Sequence, residues 1–195
     1  MQNKFQLYTV LGALCIAFTF TGAPARAAGA APEIEVPAWF KISFLDLRDD
    51  IKEAAAAKRR VMLYFGQNGC PYCKRLMEVN FKQPDIVART RGNFDVIEIN
   101  ILGSREVTWL DGVTRTEKAF AGFLHVGYTP ALLVVDERGG VLLRINGYYP
   151  PATFMAALDY VVDGAYRREP DLQRYLRSRG DQTPERGSRV DAVKQ

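Results

Sequence analysis

Val61-Met62-Leu63-Tyr64-Phe65-Gly66-Gln67-Asn68-Gly69-Cys70-Pro71-Tyr72-Cys73-Lys74 is the most informative stretch of this 195-residue chain. Val61 to Phe65 is a continuous apolar run, short for a helix and the right length for a strand covered on both faces. Gln67-Asn68-Gly69 reads as a turn. Pro71 suits the first turn of a helix, where a missing N–H costs nothing, so the cysteine pair falls at a helix start. That placement carries chemistry. Free N–H groups and the positive end of the helix dipole stabilise a thiolate at Cys70, and Lys74 and Arg75 add positive charge. Cys70, on the solvent side, is the expected attacking sulfur, and Cys73, one turn deeper, the expected resolving one. A bridge across two intervening residues closes too small a loop to staple a fold, so reactivity explains the pair better than stability does. The alternative is a metal, because C-x-x-C is also half of a zinc or copper site. The other half is missing: the remaining cysteine is Cys15, and His125 is the one imidazole.

Upstream, residues 1–27 are expected to be a signal peptide. Lys4 precedes the apolar run Leu7–Phe20, and Ala25-Arg26-Ala27 offers a small-residue cleavage site. The run falls short of the ~20 residues that span a bilayer. Export would remove Cys15 and place the protein in an oxidising compartment, expected to be the bacterial periplasm. Residues 28–40 are expected to be flexible, 41–179 to form one domain, and 180–195 to be a disordered polar tail. With 48% apolar and 25% charged residues the chain has ordinary globular composition, which excludes collagen, coiled coil and wholesale disorder. The net charge is +4, but Lys4 and Arg26 sit in a leader without acids. The remainder is close to balance, and no nucleic-acid partner is implied.

Downstream, the periodicities give the other elements. Ser43 is expected to cap a helix over 44–59. The helix opened by Pro71 is expected over 71–82, and Pro84 opens another through Arg89. Phe94–Ile99 is the next strand, completing a βαβ unit. Residues 102–111 are less readable, with Asp111-Gly112 marking the turn of a small hairpin. Thr114-Arg115-Thr116-Glu117 fits a capping box. Ala131–Val135 and Val141–Ile145 form a hairpin across Asp136-Glu137-Arg138-Gly139-Gly140. Pro151 opens a helix through about Tyr160, and Pro170 a last basic one. A crossover and a hairpin in one sheet require mixed pairing. The prediction is an α/β fold with a mixed central sheet of about four to five strands and helices on both faces.

Leu63-Tyr64-Phe65, Gly69-Cys70-Pro71-Tyr72-Cys73-Lys74, Tyr128-Thr129-Pro130-Ala131 and Gly147-Tyr148 resemble the thioredoxin superfamily over about 60–165. Within it the match is closest to SoxW-type periplasmic thioredoxins, exported proteins associated with bacterial sulfur oxidation. The resemblance implies a thioredoxin-like fold with Cys70 and Cys73 catalytic and Pro71 and Tyr72 as the intervening motif residues. It also implies a cis bond at Thr129–Pro130, whose free backbone groups pair with an extended substrate. The implied activity is a monomeric periplasmic thioredoxin-like reductase of protein disulfides, some of them on sulfur-oxidation proteins. It needs no cofactor and draws electrons from a membrane electron-transfer protein. The Pro-Tyr dipeptide also resembles glutaredoxins, and threonine before the proline occurs in periplasmic disulfide isomerases. A disulfide oxidase or isomerase is therefore the alternative, with a copper- or zinc-binding carrier as the rival of another class.

The chain departs from that family at three places, one of them Glu98, which stands where thioredoxins usually carry a lysine. Gly69 stands where thioredoxins carry Trp, and Tyr64 stands where they carry a buried acid that accepts a proton near the second cysteine. Glu98 shares a strand face with Val96 and Asn100. It is expected to reach beneath the cysteine pair, hydrogen-bond Tyr64 and help deprotonate Cys73, the alternative being a carboxylate that caps the sheet end in solvent. Tyr148 and Tyr149 are candidate groove residues, and Trp109 and Phe123 are expected to pack. His125 is expected to finish a helix, and the arginines near 167–179 to form a solvated basic face.

Overall fold

The central strand is buried because strands flank it on both edges and helices cover both its faces. The computed structural model describes residues 32–180. The expected leader, residues 28–31 and the tail from 181 onward lie outside them. Helix α1 (Leu47–Ala56) leads into β1 (Arg60–Gly66), α2 (Pro71–Glu78), α3 (Pro84–Asn93) and β2 (Phe94–Asn100). A small hairpin, β3 (Glu106–Thr108) and β4 (Thr114–Thr116), precedes α4 (Glu117–Phe123). Then follow β5 (Ala131–Val135), β6 (Val141–Asn146), α5 (Pro151–Val162) and α6 (Leu172–Ser178).

The main sheet has the order β2-β1-β5-β6, with β1 parallel to β2 and antiparallel to β5, and β5 antiparallel to β6. This is the mixed sheet the crossover and the hairpin required. Alternation splits its side chains between two cores. Met62, Tyr64, Val96 and Leu132 face α2, α3 and α5, while Leu63, Phe65, Ile97 and Leu133 face α1 and α4. Among the described residues no helix is long and apolar enough to cross a membrane.

Four expectations change. Helix α1 starts later than 44, because Leu45 takes a left-handed φ of 64° and the helix cannot form through it. Asp46 is the cap, its carboxylate accepting from Arg48 N at 3.1 Å. Ser43 instead accepts from Leu45 N and donates to the buried Asp50. Helix α2 ends at Glu78, and Asn80–Lys82 continues as a separate 3-10 turn. The capping frame at 114–117 shifts: Thr114 pairs with Thr108 in the small hairpin, and Thr116 caps α4 by accepting from Ala119 N at 3.2 Å. Finally, residues 32–40 are packed rather than loose. Ile34, Val36 and Trp39 lie against the α2-side core, Phe40 is buried in it, and Lys41 N donates to Val96 O at 2.8 Å.

Candidate functional site

Cys70 is the N-cap of α2, with extended backbone angles, and Pro71 follows as its first residue. Cys70 and Cys73 form a disulfide with their Cα atoms 5.2 Å apart. Cys73 N donates to Cys70 Sγ at 3.1 Å, so one of the free N–H groups at the helix start is aimed at the sulfur expected to carry charge. Cys73 is fully buried and Cys70 6% exposed, so of the two residues only Cys70 keeps contact with solvent. Tyr72 projects into solvent at 47% exposure.

The Thr129–Pro130 peptide bond is cis, as the resemblance implied. Its loop reaches the cysteines because β5 starts at Ala131, next to Phe65 of β1. Cys70 Sγ lies 3.6 Å from the Thr129 carbonyl oxygen, and Gly147 N donates to Pro130 O at 2.8 Å. Pro130 is buried and Thr129 half-buried.

Tyr64 and Glu98 are directly paired in the parallel register of β1 and β2, on the face that also carries α2. The expected hydrogen bond between them is not formed: they couple through space. Burial, reinforced by the Glu98 charge, pushes the Tyr64 phenol far above its ordinary value, so it stays neutral. Burial also raises the Glu98 carboxyl. The Arg105 charge opposes the rise, while Glu117 and Glu33 add to it. Glu98 is half-buried at the sheet edge, and its backbone carbonyl accepts from Arg105.

Two glycines bear on the departures at Tyr64 and Gly69. A Cβ on Gly66 would overlap the Tyr64 ring, which lies along the strand toward the end of β1. Gly69 has φ 75°, a conformation that a tryptophan there would enter only with strain. The sequence reading missed Gly66. Its signal was a glycine closing a buried strand, which marks a close approach.

It also missed the segment beside Cys70. Gly69 N donates to Pro32 O at 3.0 Å, and Ile34 N donates to Asn68 Oδ1 at 3.3 Å. This strap bounds a cleft of about 840 Å3 that reaches Cys70. Tyr148 and Tyr149 are buried instead of lining an open groove. The Arg75 guanidinium lies 4.6 Å over the Tyr148 ring, and Tyr149 accepts from Gln173 through its hydroxyl and from Asn80 through its carbonyl. Trp109 packs in the α1-side core, and His125, at φ 54°, completes the end of α4. Among the described residues, no group of three or more His, Cys, Asp or Glu side chains is placed to hold a metal ion.

Residues 47–162 match the model of the thioredoxin-like domain family. No curated protein matches the chain. Among solved structures, a thioredoxin-fold protein from Helicobacter pylori is 23% identical with a TM-score of 0.55. That match covers 65% of this chain and 87% of the other. A thioredoxin from Thermus thermophilus is 26% identical with a TM-score of 0.45, covering 60% and 88%. The C-terminal domain of DsbD from Neisseria meningitidis, in its oxidised form, is 15% identical with a TM-score of 0.44, again covering 60% and 88%.

Proposed function

The chain belongs to the thioredoxin-like domain family, and from that premise we propose that it is a thiol–disulfide oxidoreductase acting on protein disulfides as a reductase. The observation that carries the reading is the cysteine pair at the start of α2, with Cys70 facing the carbonyl of the residue before a cis proline. In the dithiol form the Cys70 thiolate attacks one sulfur of a substrate disulfide. A Cys70–substrate disulfide forms and the other substrate sulfur leaves as thiolate. Cys73, deprotonated, then attacks Cys70 Sγ, which closes the 70–73 disulfide and releases the second substrate thiol. Two electrons have passed to the substrate, and a dithiol donor must return them. In this reading the Thr129 carbonyl accepts from a substrate backbone N–H, which aligns the incoming segment as an added strand.

The expected leader supports a periplasmic setting, where the donor would be a membrane electron-transfer protein. The resemblance to SoxW-type thioredoxins supports substrates among sulfur-oxidation proteins. Glu98 is the group proposed to take the Cys73 proton, since it lies on the α2 side of the sheet in a position that favours its neutral form.

The test is the reduction potential of Cys70–Cys73 by equilibration against glutathione. About −220 mV or lower is the expected result for a reductase, and a value between about −180 and −120 mV would reassign the protein to isomerases or oxidants. Cys73→Ser should trap a stable mixed disulfide through Cys70. Failure to trap any adduct with a disulfide substrate would remove the exchange chemistry itself.

A further inference from the structure

The cleft beside Cys70 is walled by Gly69, Cys70 and Pro71 but by neither Thr129 nor Pro130, so it lies apart from the backbone site that the cis proline creates. Its base is apolar. Met77 and Phe81 are buried at its base, and half-buried Val36 and Trp39 face them, with the Trp39 ring edge-on to Phe81 at 5.3 Å. The strap wall is pinned at the Cys70 end by Gly69 N to Pro32 O and Ile34 N to Asn68 Oδ1. The turn that places the sulfur therefore also places the wall.

We infer that this cleft is the second half of the substrate groove and takes an apolar side chain from the extended segment flanking the reactive cysteine of a protein disulfide. The inference rests on the exchange reaction proposed above and adds the chemistry of its substrate. Continuity with the reacting atom carries it. Once Cys70 is joined to a substrate cysteine, the residues beside that cysteine stand at the mouth of the cleft, and their entry is an intramolecular step. The apolar base rewards a side chain that leaves water there. The rim carries both signs, Glu33 and Glu35 on the strap and Lys74, Glu78 and Lys82 on the helix side, with Lys74 and Glu78 paired at 3.7 Å, so it carries no strong net charge. Discrimination falls to the apolar contact, and a compact polar disulfide gains nothing from it.

The experiment uses the reduced protein and pairs of synthetic peptides, each with one cysteine capped as a mixed disulfide with 5-thio-2-nitrobenzoate. Release of the coloured thiolate reports exchange at Cys70, at once when the peptide sulfur is attacked and after Cys73 resolves the adduct when the other sulfur is. Within each pair leucine or glycine stands two residues from the cysteine, on the N-terminal side in one pair and on the C-terminal side in the other. The leucine peptide should react about tenfold faster than its glycine partner in one of the pairs, the effect of burying much of one such side chain. Val36→Asp should bring that ratio close to one. Should Val36→Asp lose its native circular dichroism, Ala38→Trp is measured instead, since Ala38 is an exposed residue on the cleft wall whose enlargement fills the space. Equal rates within both pairs, or a preference that the folded variant retains, overturn the inference. If neither peptide nor 5,5′-dithiobis(2-nitrobenzoate) releases the thiolate, the exchange reaction itself is refuted, and this inference with it.

Discussion

At the residue scale, Gly66 and Glu98 show how the site is shaped by what surrounds it. Gly66→Ala places a methyl group where the Tyr64 ring lies, and the ring is enclosed by buried neighbours. The expected cost is about 1–3 kcal/mol, read as a lower urea midpoint at constant slope. Glu98 answers to pH. Burial raises its carboxyl above the unfolded value. Below the unfolded value both states are protonated and Glu98 contributes nothing. As pH rises through the unfolded value toward the raised folded one, the unfolded state ionises first and stability falls. The loss is complete above the folded value. Glu98→Gln should therefore raise Tm at pH 7 and leave it unchanged at pH 3. The same variant tests the proton relay separately: an upward shift in the pH profile of mixed-disulfide resolution supports it, and an unmoved profile rejects it. The sequence showed Glu98 on the right strand face but not its hydrogen bonding, because a parallel register aligns residues without fixing where their side-chain atoms end.

At the scale of elements, the strands that sequence reading found most readily are the ones the sheet encloses. Every residue of β5 is buried, and so is β1 after Arg60, so their apolar runs are continuous. The hairpin β3–β4 was harder to read because each strand has three residues and only Val107 among them is buried. The start of α4 was misframed for a related reason. Glu117 looked like the reciprocal acid of a capping box, but its carboxylate turns inward. It accepts from Asn100 N at 2.8 Å, from Arg105 N at 3.2 Å and from the Arg105 guanidinium at 2.7 Å. One side chain thus ties α4 to the end of β2 and the loop after it, a long-range role that local spacing cannot encode. Glu117→Ala leaves Asn100 N and Arg105 N without that acceptor. It should cost about 2–4 kcal/mol in urea denaturation.

On the scale of the whole molecule, the segment before the first helix belongs to the domain. Small residues and prolines around 28–37 suggest mobility, and composition alone does not reveal that Trp39 and Phe40 draw the preceding residues onto the α2 side. Phe40 packs edge-on against Tyr64 and Phe81, Trp39 does the same against Phe81, and Phe81 continues the contact to Phe154 of α5. The aromatic chain therefore links the strap to β1, to the 3-10 turn that follows α2 and to α5. Two truncations separate its structural share from the clamp at Cys70. A chain beginning at Pro37 keeps Trp39 and Phe40 while losing the bonds from Pro32 and Ile34, so its Tm should fall by only about 2–4 °C. A chain beginning at Lys41 loses both rings and leaves a cavity against Tyr64 and Phe81. Large aromatic deletions in a core cost about 3–5 kcal/mol, equivalent to a drop on the order of 10 °C for a domain of this size. Equal Tm values for the two truncations would mean that the aromatic pair does not anchor the strap, and would detach the cleft wall from the packing of Trp39 and Phe40 against Phe81.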